Sequence, residues 1–269
     1  MTALKRHNVK VISPQNKKSI IFAHGFGCDQ NMWRLVVPQF VHDHQVVLFD
    51  HIGAGGSDLS HYSPSRYSTL GAYADDVLAI VRELNLQHSI FVGHSVSAMI
   101  GVLAAIKEPE RFESLVLIGP SPRYINDGEY VGGFEASDIE GLLESLETNY
   151  LGWSSTMAPV IMGNSDRPEL SQELSNSFCR MDPAIAKNFA RVTFLSDNRT
   201  DLPHVRAKTL ILQCSADVIA PLQVGHFVES HIPNSTLVVM NATGHCPNLS
   251  APDETVAEMK RFLKPGHNV

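Results

Sequence analysis

Seven short apolar runs constrain this chain more than any other feature. They fall at residues 8–12, 19–23, 45–49, 89–92, 114–118, 208–213 and 236–240. A strand with one wet face alternates apolar and polar residues, whereas a strand covered on both faces does not. Most of these runs do not alternate, so they predict a parallel sheet covered by helices. Stretches of helical character lie between them, at residues 70–84, 96–106, 222–229 and 254–262. In the first of these, Ala72, Val77, Ile80, Val81 and Leu84 follow helical spacing and mark a core-facing stripe.

Between Pro120 and Arg199 the strand pattern vanishes for about eighty residues and helical signals follow one another. Ser137-Asp-Ile-Glu140 reads as a capping box, and Asp182-Pro183 as a helix cap followed by proline at the first helical position. A helical block between two strands of one sheet predicts a cap over the strand ends. The expected division is a core made of residues 1–120 and 200–269, with a lid at 121–199. No internal repeat or low-complexity segment interrupts it.

Composition narrows the function classes. The 269 residues are 43% hydrophobic and 18% charged, as in a globular protein, with a net charge of −7. That charge argues against a nucleic-acid surface. No apolar stretch approaches the length of a membrane span, and Met1 to Val11 has no signal-like apolar core. Cys28, Cys179, Cys214 and Cys246 form no C-x-x-C pair, which points to reduced thiols and a cytoplasmic setting. Cys246 reads as a small packing residue.

Ligands of open parallel sheets bind beyond the carboxyl ends of the strands. Reactive residues come directly after several strands here: His24-Gly25-Phe26-Gly27, then Asp50-His-Ile-Gly53-Ala-Gly55-Gly56-Ser57, Gly93-His-Ser95-Val-Ser97, Ser215-Ala-Asp217 and Thr243-Gly244-His245. Residues 93–97 stand between a strand and a helix, the context that lifts a serine hydroxyl clear of a sheet. They depart from G-x-S-x-G, because Ser97 replaces the second glycine. Ser95 is the candidate nucleophile, His245 its base and Asp217 the acid that orients the base. Asp197 and Asp201 are rivals, but both precede their strand. The N–H groups of Phe26 and Val96 are the candidate oxyanion donors. The segment from Gly53 to Gly56 lacks the lysine of a phosphate loop and reads as a structural turn. No spacing such as H-E-x-x-H suggests a metal.

The order serine, acid, histidine and the surrounding motifs resemble the serine α/β-hydrolases. HGFGCDQNMW, FDHIGAGGSD, GHSVSAMIG, IGPSPRYIND, YVGGF, QCSADVIAP and TGHCPN carry the resemblance across nearly the full length. Within that superfamily the chain is most similar to the RsbQ-like bacterial stress regulators and the plant karrikin and strigolactone receptors. The resemblance implies an α/β-hydrolase fold, with a mostly parallel seven-stranded sheet and an inserted four-helix cap. It implies Ser95, Asp217 and His245 as catalytic residues, with Phe26 and Val96 as oxyanion donors and no cofactor. It also implies an apolar pocket walled by Phe26, Phe134, Trp153, Met157, Phe189, Phe194 and Ile219. The expected activity is hydrolysis of small apolar esters or lactones through an acyl-enzyme. The alternative is a small-molecule receptor or regulator that works with a signalling protein partner. Aspartate-nucleophile chemistries such as dehalogenation are disfavoured by Ser95.

Overall fold

The computed structural model describes residues 1–264; the last five residues of the expected core lie outside them. Seven strands form one sheet: β1 (Lys10–Ile12), β2 (Lys18–Ala23), β3 (His44–Leu48), β4 (Ser89–His94), β5 (Phe112–Ile118), β6 (Lys208–Ala216) and β7 (Ser235–Thr243). Their order is β1-β3-β2-β4-β5-β6-β7. Only β1 runs antiparallel, against β3; the remaining pairs are parallel. The inner strands are buried along almost their whole length, and all six residues of β4 are buried. This burial on both faces explains why the runs do not alternate. Two polar residues inside the sheet pair with each other: Ser19 and Ser89 meet across β2 and β4, with 2.7 Å between their hydroxyl oxygens.

The helices are α1 (Ala3–Arg6), α2 (Leu70–Glu83), α3 (Val96–Lys107), α4 (Ala136–Thr148), α5 (Tyr150–Met162), α6 (Pro168–Phe178), α7 (Pro183–Phe194), α8 (Leu222–His231), α9 (Pro247–Ser250) and α10 (Pro252–Leu263). The stripe on α2 contains the expected Val77, Ile80 and Val81 and is wider than the sequence reading gave. Leu70, Tyr73, Ala74, Val77, Leu78, Ile80 and Val81 are buried, while Ala72 is half-buried. At the exposed edge, side chains cover free strand amides. Glu229 of α8 accepts from Leu237 N–H at 3.0 Å, and Glu254 of α10 accepts from Asn241 N–H at 2.8 Å. An edge covered this way is a poor template for pairing with another chain.

Helices α4 to α7 all fall between β5 and β6. Helix α5 packs on α4 and α6, and α4 packs on α7. Asp182 caps α7 as expected, its carboxylate accepting from Ala184 and Ile185 N–H at 2.9 and 3.1 Å. The start of α4 differs from the sequence reading. Asn126 accepts from Gly132 and Gly133 N–H and donates to Glu135, so the helix begins at Ala136. Asp138, not Glu140, then reaches back to the cap amide of Glu135, at 2.9 Å.

The chain leaves β2 for β3 on one side and returns to β4 on the other. Such a switch of direction opens a crevice at the carboxyl ends of the two strands. The turn after β2 and the turn after β4 meet there.

Candidate active site

Ser95 stands between β4 and α3 with φ 57° and ψ −125°, a conformation that costs a residue with a side chain about 1–3 kcal/mol. The surroundings enforce it. Ser95 N–H donates to the Ile118 carbonyl and Ala98 N–H to the Ser95 carbonyl, both at 2.8 Å. Strand and helix come so close that a Cβ on Gly93 would sit 2.4 Å from the Ser97 carbonyl oxygen. The hydroxyl is thereby held at the positive end of a 12-residue helix.

His245 Nε2 lies 2.7 Å from Ser95 Oγ, and its Nδ1 lies 2.7 Å from Asp217 Oδ2. An ionised carboxylate only accepts, so Nδ1 carries the proton and Nε2 is free to take one from the serine. The other Asp217 oxygen accepts from Ile219 and Ala220 N–H at 2.8 and 3.2 Å. Burial alone would raise the Asp217 carboxyl; His245 and the two backbone donors outweigh it and hold the group below the usual carboxylate range. All three side chains are buried. The rivals are elsewhere: Asp197 pairs with Arg123 and Arg199 at 2.7 Å each, and Asp201 accepts from Asn198.

The loop carrying His245 is fixed from two sides. Its N–H donates to the Ile161 carbonyl at the end of α5, at 2.8 Å, and Gly244 N–H donates to Ala216 at 2.7 Å. Gly244 has φ +84°, and a Cβ there would lie 1.8 Å from the Met162 carbonyl oxygen, so only glycine lets the two segments touch. On the other side His94 Nε2 donates to the His245 carbonyl at 2.7 Å. Burial, reinforced by His245, pushes the His94 imidazole down to about 3, so it stays neutral.

Val96 opens α3, where first-turn amides have no partner within the helix. The 24–27 turn crosses directly over the serine; a Cβ on Gly25 would lie 3.3 Å from Ser95 Cβ. Phe26 and Ser95 line the same cavity. Both residues expected to supply oxyanion donors thus lie beside the serine.

The cavity has a volume of about 30 Å³ and a mostly apolar wall, room for a water or two. Of the expected wall residues, Phe26, Phe194 and Ile219 line it. Phe134, Trp153, Met157 and Phe189 do not. Trp153 and Phe189 stand behind Phe26, with ring centroids 6.0 and 5.8 Å from it, and are packing residues. Phe134 and Met157 are half-buried against the core. The wall also includes Cys28, Tyr124, Ile161, Leu174, Phe178 and Thr193, which the sequence reading did not name as pocket residues. Tyr124 is buried and lines the cavity with Ser95; burial raises its phenol, so the hydroxyl keeps its proton. Burial also pushes the Cys28 thiol up to about 12 and Cys246 well above its ordinary value. Both are unreactive packing groups, as expected for Cys246. The turn from Gly53 to Gly56 wraps an internal carboxylate: Asp50 accepts from Asn8, Gln30 and Gly56.

Comparison with known proteins agrees with this geometry. The chain is 41% identical over 258 residues to karrikin insensitive 2 receptor CA of Petunia hybrida, covering 96% of this chain and 95% of the relative. It is 40% identical to the strigolactone esterase D14 of Arabidopsis thaliana, covering 97% of both chains. A more distant relative, 3-oxoadipate enol-lactonase 1 of Acinetobacter baylyi, is 25% identical, covering 97% of this chain and 94% of the relative. A hydrolase from Oleispira antarctica superposes with a TM-score of 0.94 at 40% identity, covering 97% of this chain and 95% of that one. No helix among the described residues is long and apolar enough to cross a membrane. The family model for the alpha/beta hydrolase family matches residues 20–258, and with the sheet order and the strained serine turn already described, the chain belongs to that family.

Proposed function

We propose that this chain is a serine hydrolase for small, largely apolar carboxylic esters or lactones. One observation carries the reading: the unbroken hydrogen-bond line from Ser95 through His245 to Asp217 beneath an apolar cavity. Ser95 Oγ attacks the acyl carbon while His245 Nε2 takes its proton. The oxyanion sits between the N–H groups of Phe26 and Val96. His245 returns the proton to the leaving oxygen, which departs as the alcohol, or stays tethered if the substrate is a lactone. Water then attacks the acyl-enzyme with the roles repeated. Asp217 holds the imidazole and balances its charge. The sequence needs no cofactor for this chemistry. The named esterase and enol-lactonase relatives support ester and lactone substrates. Residues 121–199 act as the lid, and the free cysteines support a reducing, cytoplasmic setting.

A second reading is a receptor or regulator, in which binding or slow turnover changes the lid and engages a signalling partner, as the RsbQ-like resemblance implies. It is favoured by the cavity, whose 30 Å³ must enlarge before any ester fits, and by the receptor relatives. Turnover of p-nitrophenyl acetate and butyrate by wild type and Ser95→Ala separates the readings. Fast hydrolysis that falls by several powers of ten in the variant supports the enzyme. Negligible hydrolysis with a ligand-induced rise in melting temperature supports the receptor. Near-normal activity of Ser95→Ala removes Ser95 from the mechanism.

A further inference from the structure

Ser97 occupies the place where the nucleophile turn usually has its second glycine, and the structure puts its hydroxyl to use. Ser97 is wholly buried. Its Oγ donates to the His24 carbonyl at 2.5 Å and lies 2.7 Å from His51 Nε2. A hydroxyl has one proton. With that proton directed at His24, His51 Nε2 must be the donor in the second bond. The His51 backbone N–H donates to His24 Nε2 at 3.0 Å. The proton of His24 therefore sits on Nδ1, which donates to the Gly25 carbonyl at 2.9 Å. Every hydrogen in the ring is accounted for by neutral imidazoles. Burial, opposed by Asp50, lowers His24, and burial with neighbouring His24 and His7 lowers His51 well below its ordinary value.

The ring joins three elements: the turn after β2, the turn after β3 and the first turn of α3. A glycine or alanine at position 97 would leave the His24 carbonyl and His51 Nε2 buried without this partner, at the desolvation cost of unmade hydrogen bonds. The ring also has a geometric effect. His24 lies two residues before Phe26, and Ser97 directly follows Val96. One hydrogen bond thus ties together the two segments that supply the oxyanion donors.

We propose that Ser97 is a positioning residue for hydrolysis at Ser95: its hydroxyl locks the Phe26 and Val96 N–H groups into one rigid pair. This rests on the hydrolase reading above. Displacement of a donor by a fraction of an ångström weakens transition-state binding while leaving the apolar cavity unchanged.

The test uses the full chain as wild type, Ser97→Ala and Ser97→Gly. Three quantities are measured for each: kcat and KM for p-nitrophenyl butyrate, inhibition by butylboronic acid, and the rate of Ser95 labelling by a fluorophosphonate followed by mass spectrometry. Expected for at least one folded variant are a fall in kcat and in labelling rate of about ten- to a hundredfold, a parallel loss of boronate affinity, and a KM within about threefold of wild type. A merely structural role would lower the melting temperature without this split between kcat and KM. Folded variants with wild-type kcat, labelling and boronate affinity overturn the proposal and leave the hydrolase reading standing. A wild type that neither hydrolyses the ester nor labels at Ser95 overturns both.

Discussion

The sheet edge and the helical segment above it are held by different forces. At the edge, backbone hydrogen bonds set the positions: Ser95 N–H to Ile118, Gly244 N–H to Ala216 and His245 N–H to Ile161. Over the cavity, ring packing does the work: Phe26 touches Trp153, Phe178, Phe189 and Phe194 at centroid separations of 5.8 to 6.4 Å. Hydrogen bonds have narrow ranges of length and angle, whereas apolar packing tolerates exchange of similar volumes. The reactive geometry is therefore exacting, and the shape of the pocket is adjustable.

The largest effect that would break this contrast is at Asp217. Asp217→Asn should keep the fold yet lower kcat on the order of 10⁴-fold, because the amide favours the wrong imidazole tautomer. A loss of tenfold or less in steady-state turnover would mean that the edge is not exacting there. The next effect lies in the helical segment. Phe189 is buried and stacks on Tyr73 with 4.4 Å between centroids, so it anchors α7 to α2. Phe189→Ala should cost about 3–5 kcal/mol and lower Tm by roughly 10 °C, with kcat at low temperature within a few-fold of wild type. An unchanged Tm with lost ligand affinity would make Phe189 a pocket wall after all.

The smallest effect sharpens the contrast through pH. Burial holds His24 and His51 below 6.5, and His94 down to about 3. Their folded pKa values lie below the unfolded ones, so the unfolded chain takes up protons that the folded chain refuses. That burden is absent above pH 6.5 and grows as pH falls, up to about 1.4 kcal/mol per pH unit for each histidine. The urea midpoint should therefore drop between pH 6.5 and 4.5, above the range where most carboxylates titrate, and His94→Gln should flatten the slope. A midpoint constant over that interval would contradict the buried, neutral state of these rings.

Much of this was legible in sequence because period and position carry the information. The seven runs became seven strands, with ends shifted by a few residues. The first shrank from residues 8–12 to Lys10–Ile12, because α1 takes up the chain before it and Val9 N–H bonds Leu4. Ser95, Asp217 and His245 were united by a shared position, each just past the carboxyl end of a strand. The same criterion at β5 reaches Tyr124, six residues past its end. His94 was given no role and Ser97 was noted only in place of the second glycine, since nothing local shows that their partners are distant carbonyls and a distant imidazole. The wall residues were legible only in part. A resemblance points to the pocket-side helices but not to whether a given ring ends at the cavity or behind another ring, as Trp153 and Phe189 stand behind Phe26.

The bond from His245 N–H to the Ile161 carbonyl decides how the molecule can open. Lifting the far end of α5 would pull on the segment that carries the base and spoil its aim at the hydroxyl. Any widening of the cavity must therefore leave that end of α5 in place if the base is to stay aimed.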